Sequence, residues 1–308
     1  MKILNRAYNH KEDYSRTMNF LRDLYRENGT TKGWMPQRFE DMEYRINTLY
    51  MEQGKPNWHP HIRLWEADGS IAGIAAGEDE DNLYPCIKNG YESIFMEMLD
   101  WKEGNLAGKD KTLTVAVQEG HNDYINELSK RGYEPHKVLT YNKSQLVTGG
   151  HEIRLPEGYS IISGNDTRDP ESMIKKYRAV HLGFHPDDEG NPSYRNIEAL
   201  SFWAREQAPM FDYTYEIMTK NRDGDICSYM YTWVDKETGT AYLEPVCTRK
   251  AHRRKGLVKA MTSATLNILA REGINKCFVD PYNDERNAVY SACGFETDSI
   301  EYWYRKRI

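Results

Sequence analysis

Two pairs of β-rich apolar runs along the 308-residue chain each break at Asp-Gly. Ile62–Ala67 and Ile71–Gly77 flank Asp68-Gly69; Tyr213–Lys220 and Ile226–Val234 flank Asp223-Gly224. Asp-Gly between such runs is a strong hairpin signal, because the pair tolerates positive φ. Farther along, each half has a helix-like stretch that stops at glycine, then an aromatic, then glutamate: Gly132-Tyr133-Glu134 and Gly294-Phe295-Glu296. Glycine ends helices well because it takes the left-handed conformation that other residues resist. The separations from Gly69 to Gly224 and from Gly132 to Gly294 are 155 and 162 residues. Equal order at nearly equal spacing predicts a duplicated domain. The junction falls in Val147–Gly158, where Gly149-Gly150 and Pro156-Glu157-Gly158 punctuate the chain, giving domains 1–148 and 149–308.

In the second half the pattern predicts a strand at Tyr159–Ser163, a helix at 169–182 and a partly helical stretch to Pro209. After the hairpin come a strand at Thr240–Thr248 and a helix from Leu257 to Glu272, with Leu257, Met261, Ala264 and Ile268 on one face. A short strand at Cys277–Val279, a helix at 285–293 and a strand at Ile300–Arg305 complete a mixed α/β layer on one sheet.

Composition narrows the function classes. With 39% hydrophobic and 29% charged residues, each half has enough material for its own core. The formal net charge of −6 provides no basic field for nucleic acid and favours a cationic partner. Five cysteines, odd in number and never in a C-x-x-C pair, argue against a disulfide framework or a zinc site. No apolar run resembles a signal peptide or a membrane helix, so a cytoplasmic location without membrane attachment is expected.

The chemistry concentrates in Leu243–Ala260. A strand ends at Thr248, a basic loop runs through Arg253, Arg254, Lys255 and Gly256, and a helix starts at Leu257. Such a turn aims unpaired backbone N–H groups and a helix dipole at one point, which makes an anion site. By itself it is equally an ordinary turn with a solvated basic patch. Neither G-x-x-x-x-G-K-[ST] nor G-x-G-x-x-G is present, which excludes the common nucleotide loops.

Arg253-Arg254-Lys255-Gly256-Leu257-Val258 resembles the pyrophosphate loop R/Q-x-x-G-x-G/A of the GNAT acetyltransferase superfamily, with Val258 at a position that is usually small. Asn283, Asn287, Ala288, Tyr290, Gly294 and Phe295 resemble its second signature. The resemblance implies two tandem GNAT-like domains and acetyl-CoA as cosubstrate, with no metal. It places the pantetheine arm along Val246, Cys247 and Thr248, and the pyrophosphate on the amides from Arg254 to Val258. It assigns Glu244 as a base acting through water and Tyr290 as the acid facing the leaving thiolate. Period-two alternation would put Glu244, Val246 and Thr248 on one face of the strand. Cys247 reads as a small buried residue rather than a nucleophile, and His252 as exposed. His181, His185 and Asp187-Asp188-Glu189 fall where acceptor-side elements of the family lie, and the acidic trio reads as a solvated loop able to attract an amine.

The first half lacks the basic loop. Gly77-Glu78-Asp79-Glu80-Asp81-Asn82 stands where the resemblance expects it, so one acetyl-CoA site per chain is expected, with the first half supporting the sheet, shaping the acceptor cleft or mediating homodimerisation. The leading function is transfer of acetyl to a primary amine of a small molecule by direct attack in a ternary complex. Tandem chains of this kind include the mycothiol synthases, which makes a thiol-precursor amine one candidate acceptor. A non-catalytic acetyl-CoA-binding regulator and an aminoacyl-tRNA-dependent peptidyltransferase are the alternatives; the intact loop and acidic charge disfavour the latter.

Overall fold

The computed structural model describes residues 2–29, 33–52, 54–55, 57–106, 111–189 and 198–308. In chain order, β1 (Ile3–Ala7) and α1 (His10–Asn28) lead to α2 (Pro36–Asp41) and α3 (Asn47–Glu52), which a π-turn at Met42–Ile46 joins into one segment. Next come β2 (Arg63–Ala67), β3 (Ser70–Ala76), β4 (Asn82–Ile87), α4 (Ile94–Asn105), β5 (Thr112–Gln118), α5 (Asn122–Lys130) and β6 (Glu134–Leu146). The second half repeats the order: β7 (Ser160–Ser163), α6 (Pro170–Phe184), α7 (Glu198–Arg205), β8 (Glu216–Lys220), β9 (Ile226–Asp235), β10 (Thr240–Thr248), α8 (Leu257–Arg271), β11 (Lys276–Val279), α9 (Asp284–Ala292) and β12 (Glu296–Arg307).

Local chemistry accounts for these boundaries. Asp68 and Gly69 sit at φ 50° and 79°, the doubly left-handed turn whose twist matches an antiparallel pair. Asp169 caps α6 through the Ser172 N–H, with Pro170 in the first turn, and Asn283 caps α9 through the Arg286 N–H. On α8 the buried face holds Leu257, Met261, Ala264 and Leu269, with Ile268 displaced to its margin.

All twelve strands form one sheet, in the order β1-β2-β3-β4-β5-β12-β6-β11-β10-β9-β8-β7. At its centre the halves exchange strands. β12 lies between β5 and β6, with Tyr302 opposite Val117 on one side and Leu139 on the other. β6 in turn lies between β12 and β11, with Cys277 opposite Gln145. Each half is therefore completed by the other's last strand. Helices cover both faces of each half. In the first, α4 and α5 pack over Leu83, Leu113 and Val115, while α1 and α2 pack over Leu64 and Ile74. In the second, α8 and α9 cover Ala241, Leu243 and Cys277 of the sheet, while α6 and α7 cover Tyr229, Tyr231 and Trp233.

Candidate active site

The basic turn has the backbone of an anion site. Arg254 and Gly256 lie at φ 60° and 76°, successive left-handed kinks that turn the chain into α8. No side chain caps α8. The amides from Arg254 to Lys259 have no acceptor among the described residues, so they are free to face one ligand with the positive helix end behind them. A Cβ at Gly256 would meet nothing within 4 Å, so glycine is needed there for its φ alone.

The side chains of the turn divide their work. Arg253 donates to the carbonyls of Thr248 at 3.0 Å and Gly183 at 2.9 Å, tying the loop to the end of α6. Lys255 and His252 both meet the Tyr159 hydroxyl, at 2.9 and 2.8 Å. His252 is half-buried rather than exposed, and burial beside Arg249 and Lys255 lowers its pKa.

Next to the turn, β10 and β11 part. They pair in parallel only from Thr240 to Tyr242, while β10 continues to Thr248. The main chain of Val246, Cys247 and Thr248 thus borders an opening instead of a strand. Pairing of β10 with β9 also slips between Leu243 and Val246. This bulge overturns the expected alternation: Leu243 and Val246 both pack toward α8, whereas Glu244 shares the opposite face with Tyr242.

Glu244 looks into a cavity of about 490 Å³ built from both halves. Asp41, Glu78 and Asp81 of the first half, Glu244 and Asp280 of the second, and Glu301 on β12 line it, opposed by Arg38 and His136. Arg38 pairs with Glu78 and donates to the Tyr242 hydroxyl at 3.4 Å; that hydroxyl donates to Asp280 at 2.8 Å. The other Asp280 oxygen is buried with no partner. Arg45, braced by Asp41 at 2.6 Å, approaches the Glu244 carboxylate at 3.5 Å.

So many carboxyls in one enclosure resist ionisation. Glu244 is 43% exposed, into the cavity, yet closely surrounded by protein: burial pushes its pKa up to about 7, with Arg45 opposing and Asp41 adding. Burial likewise raises Asp280 to about 6 and Glu301 to about 8, in both cases against Arg38.

Tyr290 projects from α9 into the core beside Phe295, and burial followed by the charge of Glu244 raises its pKa well above the ordinary phenol value. It stays protonated at any physiological pH. Asn287, one turn earlier, has a buried side-chain oxygen with no partner. Asn283 differs: its side-chain oxygen is occupied in capping α9. Cys247 is buried against the Ala179 and Val180 carbonyls and packs on Gly183, where a Cβ would come within 2.6 Å of its sulfur.

Asp187, Asp188 and Glu189 do not line the cavity but lie in a solvated loop, where Asp188 meets His181 at 2.7 Å, Glu189 pairs with Arg249, and Asp187 lies 3.7 Å from Lys250. Contrary to expectation, Gly77–Asn82 does not occupy the place of the basic turn. It links β3 to β4 and brings Glu78 and Asp81 to the cavity, and the positional counterpart of 249–256 is 88–93. Arg38, Arg45, Tyr242 and Asp280 escaped the sequence reading. They come from four separate elements, and only the acidity of 77–82 hinted at the enclosure.

Residues 182–295 match the Acetyltransferase (GNAT) family. The chain is 28% identical over 255 residues to a mycothiol acetyltransferase of Streptomyces griseus subsp. griseus, covering 79% of this chain and 78% of that one. It is 28% identical over 204 residues to a mycothiol acetyltransferase of Streptomyces coelicolor, covering 65% and 63%. Among solved structures, the GCN5-related N-acetyltransferase of Sphaerobacter thermophilus superposes with a TM-score of 0.66 at 16% identity, over 99% of this chain and 95% of that one. A tandem GNAT protein from the clavulanic acid biosynthesis pathway gives 0.63 at 12% identity, over 99% and 98%. Among the described residues no helix is long and apolar enough to cross a membrane. Residues 182–295 thus carry the signature of the GNAT acetyltransferase family, and the chain as a whole shares its fold with a tandem GNAT protein.

Proposed function

We propose that the chain acetylates a primary amine of a small, cationic molecule held in the cavity between its halves, by direct attack in a ternary complex. The observation that carries this reading is the cavity wall, where six carboxyl groups outnumber the Arg38 guanidinium, the His136 imidazole and the Arg45 guanidinium behind Glu244. A second positive centre on the acceptor would be matched there, whereas an acceptor carboxylate would be repelled.

An alkylammonium with pKa about 10.4 must lose a proton before it attacks. Glu244, poised near neutrality, takes that proton through a water molecule. The open amides of Arg254–Val258 hold the diphosphate of acetyl-CoA, and the Val246–Thr248 main chain flanks its arm, with Asn287 beside it. An N–H near Val246 faces the thioester oxygen as charge develops, a donor worth ~3–4 kcal/mol in comparable sites. Tyr290 donates its phenolic hydrogen bond to the departing thiolate.

Release of coenzyme thiol against a panel of amines, with product masses, tests the reading. Diamines and amino sugars are expected to outrun neutral amines, and these to outrun amino acids; a thiol-bearing amine belongs in the panel because of the mycothiol acetyltransferase relatives. Glu244→Gln should lower kcat/KM by about 10²–10⁴-fold and Tyr290→Phe by about 10²-fold, with coenzyme affinity unchanged. Wild-type kcat/KM should rise tenfold per pH unit below about 7 and level off above it, a limb that Glu244→Gln removes. A preference for anionic amines would overturn the acceptor class. Coenzyme binding with no turnover on any amine would favour a regulator.

A further inference from the structure

Away from the cavity, on the outer side of the π-turn, two imidazoles converge on one buried carboxylate. His10 is the first residue of α1, Glu43 lies in the π-turn, and His59 opens a short 3-10 turn before β2. The His10 Nδ1 and His59 Nε2 atoms stand 2.5 and 2.8 Å from the same Glu43 oxygen. One potential ligand atom from each of the three residues falls within a sphere where all lie less than 4.8 Å apart.

Within the cluster, three buried polar atoms have no hydrogen-bond partner among the described residues. The His59 contact is a hydrogen bond, but the His10 nitrogen, although buried and 2.5 Å away, makes none. Glu43 is 94% buried and its second oxygen has no partner. The Tyr8 hydroxyl is also buried and unpartnered, and its ring stands edge-on to His59 at 5.3 Å. Two neutral rings could each donate one N–H to the shared oxygen, but that would leave the second Glu43 oxygen and the Tyr8 hydroxyl buried and unanswered, with the rings stacked at 6.0 Å. A divalent cation resolves all of this: it takes one lone pair from each neutral ring and one from the carboxylate, and leaves a coordination position for a water that could reach the Tyr8 hydroxyl.

We infer that His10, Glu43 and His59 form a zinc site that clamps α1, the π-turn and the approach to β2 together. Two imidazoles and one carboxylate are a common zinc ligand set, and three protein ligands plus water complete its tetrahedron. π-Turns recur at functional sites. Here the turn carries Glu43 to the cluster and Met42 and Ile46 to the acceptor cavity, and its Arg45 stands 3.5 Å from Glu244. Filling the site therefore fixes the wall that holds the proposed base. The zinc inference rests on its own geometry and stands whatever the acceptor is.

The test uses the full chain without a histidine tag, dialysed against chelator and titrated with Zn²⁺ by calorimetry, with Co²⁺ absorption as a second readout. One equivalent should bind, Co²⁺ should give visible bands of a low-coordinate nitrogen and oxygen site, and the melting temperature should rise on Zn²⁺ addition. His59→Ala and Glu43→Gln should each weaken Zn²⁺ affinity by about 100-fold and abolish the thermal shift. His10→Ala, at a partly exposed helix start, is the variant least able to disturb folding and should behave alike. Absence of stoichiometric binding, or binding that survives His10→Ala and His59→Ala together, would overturn the site.

Discussion

The strand-to-helix turns of the two halves occupy the same place in the repeated order of elements and have opposite chemistry. In the second half, the amides from Arg254 to Lys259 face outward with no acceptor among the described residues. In the first half, the turn at 88–93 consumes its own donors. The Gly90 N–H goes to the Glu92 carboxylate at 2.9 Å, and the Tyr91, Ile94 and Phe95 N–H groups go to the carbonyls of Lys88, Tyr91 and Glu92. Next to it, the space between β4 and β5 shrinks to about 20 Å³, bordered by Gly33, whose Cβ position lies 2.5 Å from the Cys86 sulfur. A glycine with positive φ is present in both turns, Gly90 and Gly256. What separates the two turns is therefore not the glycine but whether the amides already have acceptors within the turn itself.

The largest effect expected from this contrast comes from giving the second turn an internal anion. Gly256→Asp should weaken coenzyme binding by about 100-fold, or ~2.7 kcal/mol, measured by calorimetry on the full chain. A change of threefold or less would mean that the open amides do not hold the ligand.

An intermediate effect concerns the cavity where the halves cooperate. Asp280, Glu244 and Glu301 titrate near 6, 7 and 8 in the folded chain, above the ordinary carboxyl values. Between pH 5 and 8 the native state thus keeps protons that the unfolded chain has released, and stability falls as pH rises. The melting temperature should drop by roughly 5 °C over that interval, and Glu301→Gln should flatten the slope. A diamine should restore more at pH 8 than at pH 5. A slope unchanged by Glu301→Gln would detach the cavity from the effect.

The smallest expected effect is the reciprocal of the first. Glu92→Gln weakens the internal answer but leaves the narrow β4–β5 space intact, so binding should stay at one coenzyme per chain with affinity altered less than twofold. A second equivalent would break the contrast between the halves.

Local signals made much of this legible beforehand. Asp68-Gly69, the α8 stripe and the Gly256 turn each depend on a few neighbouring residues, and the structure places hairpin, helix and open amides where those residues put them. Three features depend on partners far away in sequence. The bulge at Glu244 is set by its register against β9, the acidic 77–82 segment acquires meaning only opposite Asp280, and the His10–Glu43–His59 cluster joins three elements. A pattern of apolar and polar positions records burial, and burial alone does not say which strand lies alongside.

The crossed placement of β6 and β12 also has a consequence for how the molecule comes into being. β12 is synthesised after β5 and β6, yet it fills the gap between them. Until then, β5 and β6 expose bare ladder edges, the kind of surface on which chains adhere to one another. The two halves thus shield each other's edges: removing residues 296–307 should send the remainder into inclusion bodies.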